Sequence, residues 1–209
     1  MCRTRHRWLE LGLLGTVLAA LVLIPGRVVL PAVVTGGVLA LVVLLRDPSF
    51  ERARLWNGEA LRAGWRPMLG RVVLAAAGLT GVAWLADPHG LFALPRQHPA
   101  LWAVVLVGYP LVSVYPQELL FRAMVHHRYG PLLASGRARI ALSATLFAVA
   151  HLVLRNVPAV ALSFLGGLLF ARSYERSRSL GLAALEHALL GDWIFTVGLG
   201  PFFYDGTSR

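Results

Sequence analysis

Residues 114–130 of the chain read VYPQELLFRAMVHHRYG, and this stretch decides the predicted fold. It continues an apolar run that begins at Pro99, yet it places Glu118 and Arg122 one helical turn apart. Ionisable side chains are rare in membrane helices, because burying them away from water costs several kcal/mol. The pair therefore indicates either a structural ion pair between helices or a functional site.

The composition is typical of a membrane protein. Hydrophobic residues make up 57% of the 209 residues and charged residues 14%, whereas soluble domains carry about a quarter charged residues. The mean hydropathy is +0.65. The net charge of +10 would suit a nucleic-acid partner, but the arginines lie in short segments between apolar runs. We therefore predict the lipid bilayer as a partner and no nucleic acid.

Seven apolar runs predict an all-α, polytopic bundle of transmembrane helices, since a spanning helix needs roughly 20 mostly apolar residues. An eighth helix is left open, because seven spans place the termini on opposite sides. We interpret residues 1–209 as one membrane domain with a catalytic core at 100–203. The predicted spans are 8–24, 28–45, 72–86, 99–116, 140–154, 157–171 and 180–203.

The arginines predict the orientation of the bundle. Leaving Arg122 aside, fifteen arginines fall on the side of the amino terminus and four, Arg209 among them, on the other side. Because short cytoplasmic segments are enriched in basic residues, we predict a cytoplasmic amino terminus in a bacterial inner membrane. The segment 46–70 mixes arginine with Trp56 and Trp65, which favours a separate interfacial helix.

Four ionisable side chains lie inside predicted spans or their helical extensions: Glu118, His151, His187 and Asp192. Each has a structural interpretation, such as an ion pair with Arg122 or a packed histidine, that is about as good as the functional one when taken singly. At 1.5 Å per residue, the first three lie roughly 10 to 18 Å from the cytoplasmic ends of their helices. Their similar depth predicts that they converge.

A carboxylate and two imidazoles in a confined cavity suit the activation of water for hydrolysis. The same trio of Glu118, His151 and His187 also suits Zn²⁺, since two His and one Glu are a known hydrolytic ligand set. The stronger zinc signal, H-E-x-x-H, does not occur in the sequence. We expect no cofactor and keep zinc as the alternative. His126 and His127, near the end of their helix, are interpreted as surface residues.

Three motifs resemble those of the CPBP family of intramembrane endopeptidases, which includes CAAX-processing and bacteriocin-processing proteases. The family's E-E-x-x-x-R corresponds to QELLFR at residues 117–122, and F-x-x-x-H corresponds to FAVAH at 147–151. The third motif, H-x-x-x-N, is partly matched by EHALLGDWIF at 186–195. The resemblance implies an intramembrane protease in which Glu118 and His151 activate water, His187 lies at the oxyanion side, Arg122 orients Glu118, and Phe147 packs the site.

The sequence departs from the family pattern at two positions. Gln117 replaces the first glutamate, which the family uses as its base, so the resemblance implies that Glu118 takes over this role. Gly191 stands where the third motif has asparagine, and the next residue, Asp192, is the candidate to replace it as an oxyanion or water-positioning group.

Two classes of function follow. The first is an endopeptidase acting on a membrane-anchored protein or peptide, for example one that processes a C-terminal sorting or export signal. The second is a non-catalytic scaffold or immunity protein of the same fold, which Gln117 favours and the retained ionisable residues disfavour. A transporter or proton relay is weaker, because no internal repeat is evident. The sequence predicts no particular oligomeric state.

Overall fold

A computed structural model describes residues 2–23 and 25–204 of the chain. Ile24, the last residue of the first predicted span, and Arg209 lie outside the described residues. Within these ranges the chain is helical, with no β-strand. The helices are α1 (Cys2–Ala20), α2 (Gly26–Arg46), α3 (Gly58–Ala86), α4 (Ala93–Gln97), α5 (Pro99–Tyr109), α6 (Tyr115–Glu118), α7 (Val125–Tyr129), α8 (Gly136–Ala150), α9 (Val157–Ser177) and α10 (Leu180–Val197).

Seven helical stretches of the described chain are long and apolar enough to cross a membrane, which confirms the predicted all-α bundle. They are Thr4–Leu23, Gly26–Arg46, Arg52–Ala86, Pro99–Leu132, Gly136–Leu154, Val157–Ser177 and Leu180–Val197. Their outer faces carry exposed apolar side chains such as Leu74, Leu85 and Val107. The last span is the most buried and packs against α3, α5 and α9, so it forms the centre of the bundle.

Polar caps set the starts of the later helices. Ser135, Asn156 and Ser179 each accept a hydrogen bond from the backbone N–H three residues ahead, at α8, α9 and α10. This satisfies one of the amide groups that a helix start leaves without an intrahelical partner. Two of these helices end on a residue with positive φ, Arg178 after α9 and Gly198 after α10. The turns between α8, α9 and α10 are therefore short and well defined.

The segment 58–70 is helical, but the prediction of a separate interfacial helix is wrong. It forms the first part of α3, which continues through Pro67 to Ala86 as one helix of 29 residues. A helix of this length extends about 43 Å, which exceeds the roughly 30 Å thickness of the hydrocarbon core. The arginine-rich half of α3 is thus long enough to leave the apolar layer without a break in the helix.

The helix that carries the first motif is interrupted by two π-helical turns, Pro110–Val114 and Leu119–Met124. Proline lacks the N–H of a regular helical bond and clashes with the preceding turn, which a wider turn relieves. Gln117 and Glu118 lie between the two turns, in α6. Single π-turns inside helices are frequently found at functional sites.

Close helix contacts fix the position of this segment. A Cβ on Gly37 of α2 would lie 2.5 Å from Cβ of Pro116, so only glycine allows α2 to approach α6 this closely. A Cβ on Gly167 of α9 would lie 3.0 Å from Cα of Ala144 in α8 and 3.3 Å from Phe147. Gly167 therefore permits the close approach of α9 to α8.

Candidate active site

Helix α6, the following π-turn and α10 bring Glu118, Arg122 and His187 together. Glu118 and Arg122 have no exposed surface, and His187 is 5% exposed. Phe147 from α8 packs against this group with its ring centroid 5.4 Å from that of His187. The site thus combines one carboxylate, one guanidinium and one imidazole inside an aromatic enclosure.

A direct hydrogen bond joins the first and third motifs. Oε1 of Glu118 lies 2.9 Å from Nδ1 of His187. Because an ionised carboxylate can only accept, we assign the imidazole proton to Nδ1. Nε2 then carries a lone pair, and it lies 3.1 Å from the hydroxyl of Tyr109. The imidazole is further fixed by stacking on Phe170, with the ring centroids 4.4 Å apart and the planes at 13°.

Arg122 is held mainly by aromatic rings. Its Cζ lies 4.5 Å from the centroid of Phe147 and 5.5 Å from that of Phe170, distances typical of cation–π contacts. Its Nε lies 3.2 Å from Oε2 of Glu118, which is an ion pair by distance. The angles at this contact are not those of a hydrogen bond. Within the described chain, Oε2 of Glu118 and all three guanidinium nitrogens of Arg122 consequently lack a hydrogen-bond partner.

His151 belongs to the same aromatic cluster but has a different partner. Its Nδ1 lies 2.7 Å from the carbonyl oxygen of Phe147, and its ring centroid lies 4.5 Å from that of Phe147. The opposite side of the ring faces Phe203 at 6.3 Å. Both histidines therefore pack on Phe147, while the hydrogen bond of Glu118 goes to His187.

Gln117 and Asp192 lie beside these groups. Gln117 is 7% exposed and its Nε2 donates to Oγ of Ser113 at 2.7 Å. Asp192 is partly buried, and its Oδ1 is a buried atom with no hydrogen-bond partner among the described residues. Its backbone carbonyl accepts from the Thr196 hydroxyl.

The interpretation of His126 as a surface residue is wrong. His126 is 6% exposed, its Nδ1 lies 3.0 Å from the carbonyl oxygen of Arg122, and its ring packs on Tyr174. Helix α9 covers the end of α7, which the sequence pattern of α7 alone does not indicate. His127 is partly exposed and its Nε2 lies 2.8 Å from Oδ2 of Asp47.

The sequence analysis named neither Tyr109 nor Glu186 as a candidate site residue. Tyr109 places a phenol inside an apolar run, directly before Pro110. This polar group in an apolar run was the sequence signal for a role in the site. Glu186 has no exposed surface and binds Arg71 of α3, with Nε to Oε1 at 2.9 Å, and the Ser173 hydroxyl of α9. It is therefore a second buried carboxylate next to His187 in the chain.

The zinc alternative stays a prediction. In the part of the chain that the structure describes, no three His, Cys, Asp or Glu side chains are grouped as metal ligands. Nδ1 of His187 faces Glu118 and Nδ1 of His151 faces a backbone carbonyl, which leaves the two Nε2 atoms as the nitrogens available to a metal ion. In the described residues the site is a hydrogen-bonded pair of carboxylate and imidazole.

Comparison with known proteins identifies the family of this site. The model of the family described as Type II CAAX prenyl endopeptidase Rce1-like matches residues 99–191. Residues 99–191 are Rce1-like. This segment contains the first two motifs and His187, so the predicted resemblance to the CPBP family is confirmed. The Rce1-like match and the seven apolar helices together indicate an integral membrane protein. No curated protein and no solved structure matches the chain.

Proposed function

We propose that this protein is an intramembrane endopeptidase that hydrolyses a peptide bond of a membrane-anchored protein or peptide with water activated by Glu118 and His187. The observation that supports this most is the 2.9 Å hydrogen bond between Glu118 and His187, fully inside the bundle and within the Rce1-like segment. A buried carboxylate that fixes one tautomer of an imidazole leaves the other ring nitrogen ready to accept a proton.

The proposed reaction is general base catalysis. Water attacks the carbonyl carbon of the scissile bond while Nε2 of His187 takes one of its protons. When the tetrahedral intermediate collapses, the same Nε2–H protonates the leaving amine. Such a positioned base contributes roughly 10²- to 10⁴-fold to the rate. Glu118 keeps the proton on Nδ1 and compensates the positive charge that the imidazole carries between the two steps.

His151 and Arg122 have supporting roles in this proposal. The bond from Nδ1 of His151 to the Phe147 carbonyl leaves Nε2 as an acceptor that orients the water from the second side. Arg122 compensates the charge of Glu118 in an interior of low dielectric constant and fixes its orientation, since charges in such surroundings interact strongly. Neither residue accepts or donates the transferred proton in this proposal.

The buried position of the site suits a substrate that reaches it from the bilayer. We propose a C-terminal sorting or export signal of a membrane-anchored protein as the substrate. We place the protein in a bacterial inner membrane with its amino terminus in the cytoplasm, and this orientation is supported by the excess of arginine on that side. The reaction as proposed uses no metal.

One observation favours the non-catalytic alternative, a scaffold or immunity protein. Gln117 replaces the family's first glutamate and its amide is bonded to Ser113, so it cannot serve as a base. Against this, the Glu118 and His187 pair is costly to bury, and a chain released from catalysis would be expected to lose it.

The test compares precursor accumulation in the native host after deletion and complementation. Wild type restores processing if the proposal holds, whereas Glu118→Gln and His187→Ala do not. Glu59→Gln and His89→Ala are matched controls, because both residues are exposed and lie outside the site. Accumulated precursor is then cleaved by purified protein with and without a chelator. Loss of cleavage with the chelator, restored by zinc, would contradict the metal-free mechanism.

A further inference from the structure

The place of the missing motif asparagine is occupied by Tyr109. The third motif has asparagine four residues after its histidine, and this chain has Gly191 there. A Cβ on Gly191 would lie 2.4 Å from both Cε1 and the hydroxyl oxygen of Tyr109. Real side chains do not approach so closely, so any larger residue at position 191 would displace the phenol. The Tyr109 ring thus fills the space into which a side chain at 191 would extend.

The same phenol points at the reacting nitrogen. Its oxygen lies 3.1 Å from Nε2 of His187, and its ring packs edge-on against His187 and Phe195, with centroids 6.1 and 5.3 Å away. Because Nδ1 of His187 carries the proton, the hydroxyl is the donor in this contact. Tyr109 ends α5 at the start of a π-turn, so backbone and ring packing both fix its position.

We propose that Tyr109 is a catalytic residue, the hydrogen-bond donor that stabilises the oxyanion in place of the family's asparagine. This inference rests on the proposed function. When substrate and water enter, the hydroxyl turns from Nε2 to the carbonyl oxygen of the scissile bond, and Nε2 accepts from the water instead. Base and oxyanion donor then lie next to each other, as attack on a carbonyl requires.

The proposal replaces the predicted role of Asp192. A phenol donates a hydrogen bond in its ordinary neutral form, whereas a carboxyl group donates only when it is protonated. Asp192 has a buried Oδ1 without a hydrogen-bond partner among the described residues. It belongs to the surroundings of the donor and does not replace it.

The first experiment is steady-state cleavage of the accumulated precursor by Tyr109→Phe in reconstituted bilayers. This change keeps the ring and removes only the hydroxyl. Loss of one oxyanion donor lowers kcat by about 10²- to 10³-fold, and we expect KM and the thermal midpoint to stay near the wild-type values. Tyr115→Phe is the matched control, since Tyr115 lies in the same helical run and packs against a different apolar cluster.

The second experiment restores the family's arrangement. Tyr109→Ala and Gly191→Asn should each abolish cleavage, the first by removing the donor and the second by displacing the phenol. The double variant Tyr109→Ala/Gly191→Asn places an amide in the vacated space and should regain at least tenfold over either single variant. A purely space-filling role for Tyr109 predicts equal recovery with the isosteric leucine in Tyr109→Ala/Gly191→Leu, whereas a donor role predicts recovery with asparagine alone.

The outcomes separate the two proposals. If wild type cleaves, Glu118→Gln does not, and Tyr109→Phe stays within threefold of wild type, the inference on Tyr109 is overturned and the proposed function stands. A loss in Tyr109→Phe that comes with an equal loss of folded protein, without recovery in the double variant, also overturns it. If wild type cleaves no accumulated precursor, both proposals are overturned.

Discussion

Two buried carboxylates, Glu118 and Glu186, lie in neighbouring parts of the bundle and have contrasting surroundings. Both have no exposed surface, and each is paired with an arginine. Glu186 accepts from Nε of Arg71 and from the Ser173 hydroxyl, while Nη2 of Arg71 donates to the same hydroxyl at 2.7 Å. This closed triangle ties α3, α9 and α10 together, and both oxygens of Glu186 are satisfied.

The hydrogen-bonding capacity of Glu118, by contrast, is only partly used. One oxygen is bonded to His187, and the other, like the whole guanidinium of Arg122, has no hydrogen bond from the residues that the structure describes. Native proteins satisfy nearly all buried polar groups, and the exceptions frequently mark functional sites. The Glu186 cluster thus holds helices together, and the unpaired atoms of Glu118 and Arg122 agree with the catalytic role that we propose for Glu118.

The largest expected effect tests this division directly. Glu118→Gln should lower the cleavage rate by about 10²- to 10⁴-fold, because a neutral amide no longer compensates the charge of the imidazolium and its NH2 group can favour the wrong imidazole tautomer. Glu186→Gln should leave the rate within a few fold of wild type and lower the free energy of unfolding by about 1 to 3 kcal/mol, since one buried bond is lost. Cleavage kinetics and denaturation in detergent measure the two effects. Equal rate losses in both variants would break the comparison.

The arginines give the next largest effect. Arg122→Met leaves Glu118 buried without a counter-charge, which costs about 3 to 5 kcal/mol of unfolding free energy. Arg71→Met should cost less, because the Arg71 side chain is 29% exposed and water screens its contribution. Arg122→Lys keeps the charge, loses the planar contact with Phe147 and should recover part of the stability. A larger loss for Arg71→Met than for Arg122→Met in thermal denaturation would contradict this ranking.

The sequence was sufficient for the fold and for naming Glu118, His151 and His187 as candidates, since apolar runs and three spaced motifs each reflect local physics. It was not sufficient to predict which side chains contact each other in the site. Which histidine binds Glu118 depends on how α6, α8 and α10 rotate against each other, and this is set by contacts such as Gly37 with Pro116. A periodic pattern does not contain that information.

Three further misses have the same cause. Burial of His126 comes from α9, a remote element, and not from the sequence of α7. The continuity of α3 through Pro67 overrides the local signal of a helix break. Tyr109 reaches His187 only because Gly191 leaves room for the phenol. In each case a tertiary contact determines the local structure, and single-residue propensities do not contain that contact.

A smaller effect concerns the support of the Glu118 site. Gly37→Ala pushes a methyl group against the backbone and ring of Pro116, and such overpacking costs about 1 to 3 kcal/mol. Gly36→Ala is the matched control, because a Cβ there would meet only the flexible end of Leu120, at 3.2 Å. We expect Gly37→Ala to reduce activity together with stability, and Gly36→Ala to change little. The measurement is the thermal midpoint alongside the cleavage rate.

The smallest expected effect belongs to a third carboxylate, the partly exposed Asp47 between α2 and α3. Hydrogen bonds from the Ser49 side chain, from His127 and from the Ser49 backbone hold the pKa of Asp47 well below its usual value. A lowered folded-state pKa stabilises the protein above the ordinary Asp pKa of about 3.9, and this contribution is lost as the pH falls below it.

Asp47→Asn should therefore leave the cleavage rate unchanged and slightly flatten the acid limb of the profile of thermal midpoint against pH. Ser49→Ala removes the strongest of the three bonds and should act in the same direction. A change confined to neutral or alkaline pH would show that the Asp47 bonds are not the cause.

The most direct test of the central claim is cleavage of accumulated precursor by purified wild type, Glu118→Gln and Gln117→Glu side by side. The account predicts that wild type cleaves and that Glu118→Gln loses about 10²-fold or more. It further predicts that Gln117→Glu, which adds a second carboxylate beside Glu118, does not exceed wild type. An inactive wild type together with an active Gln117→Glu would contradict the account and establish a non-catalytic protein that a single residue returns to catalysis.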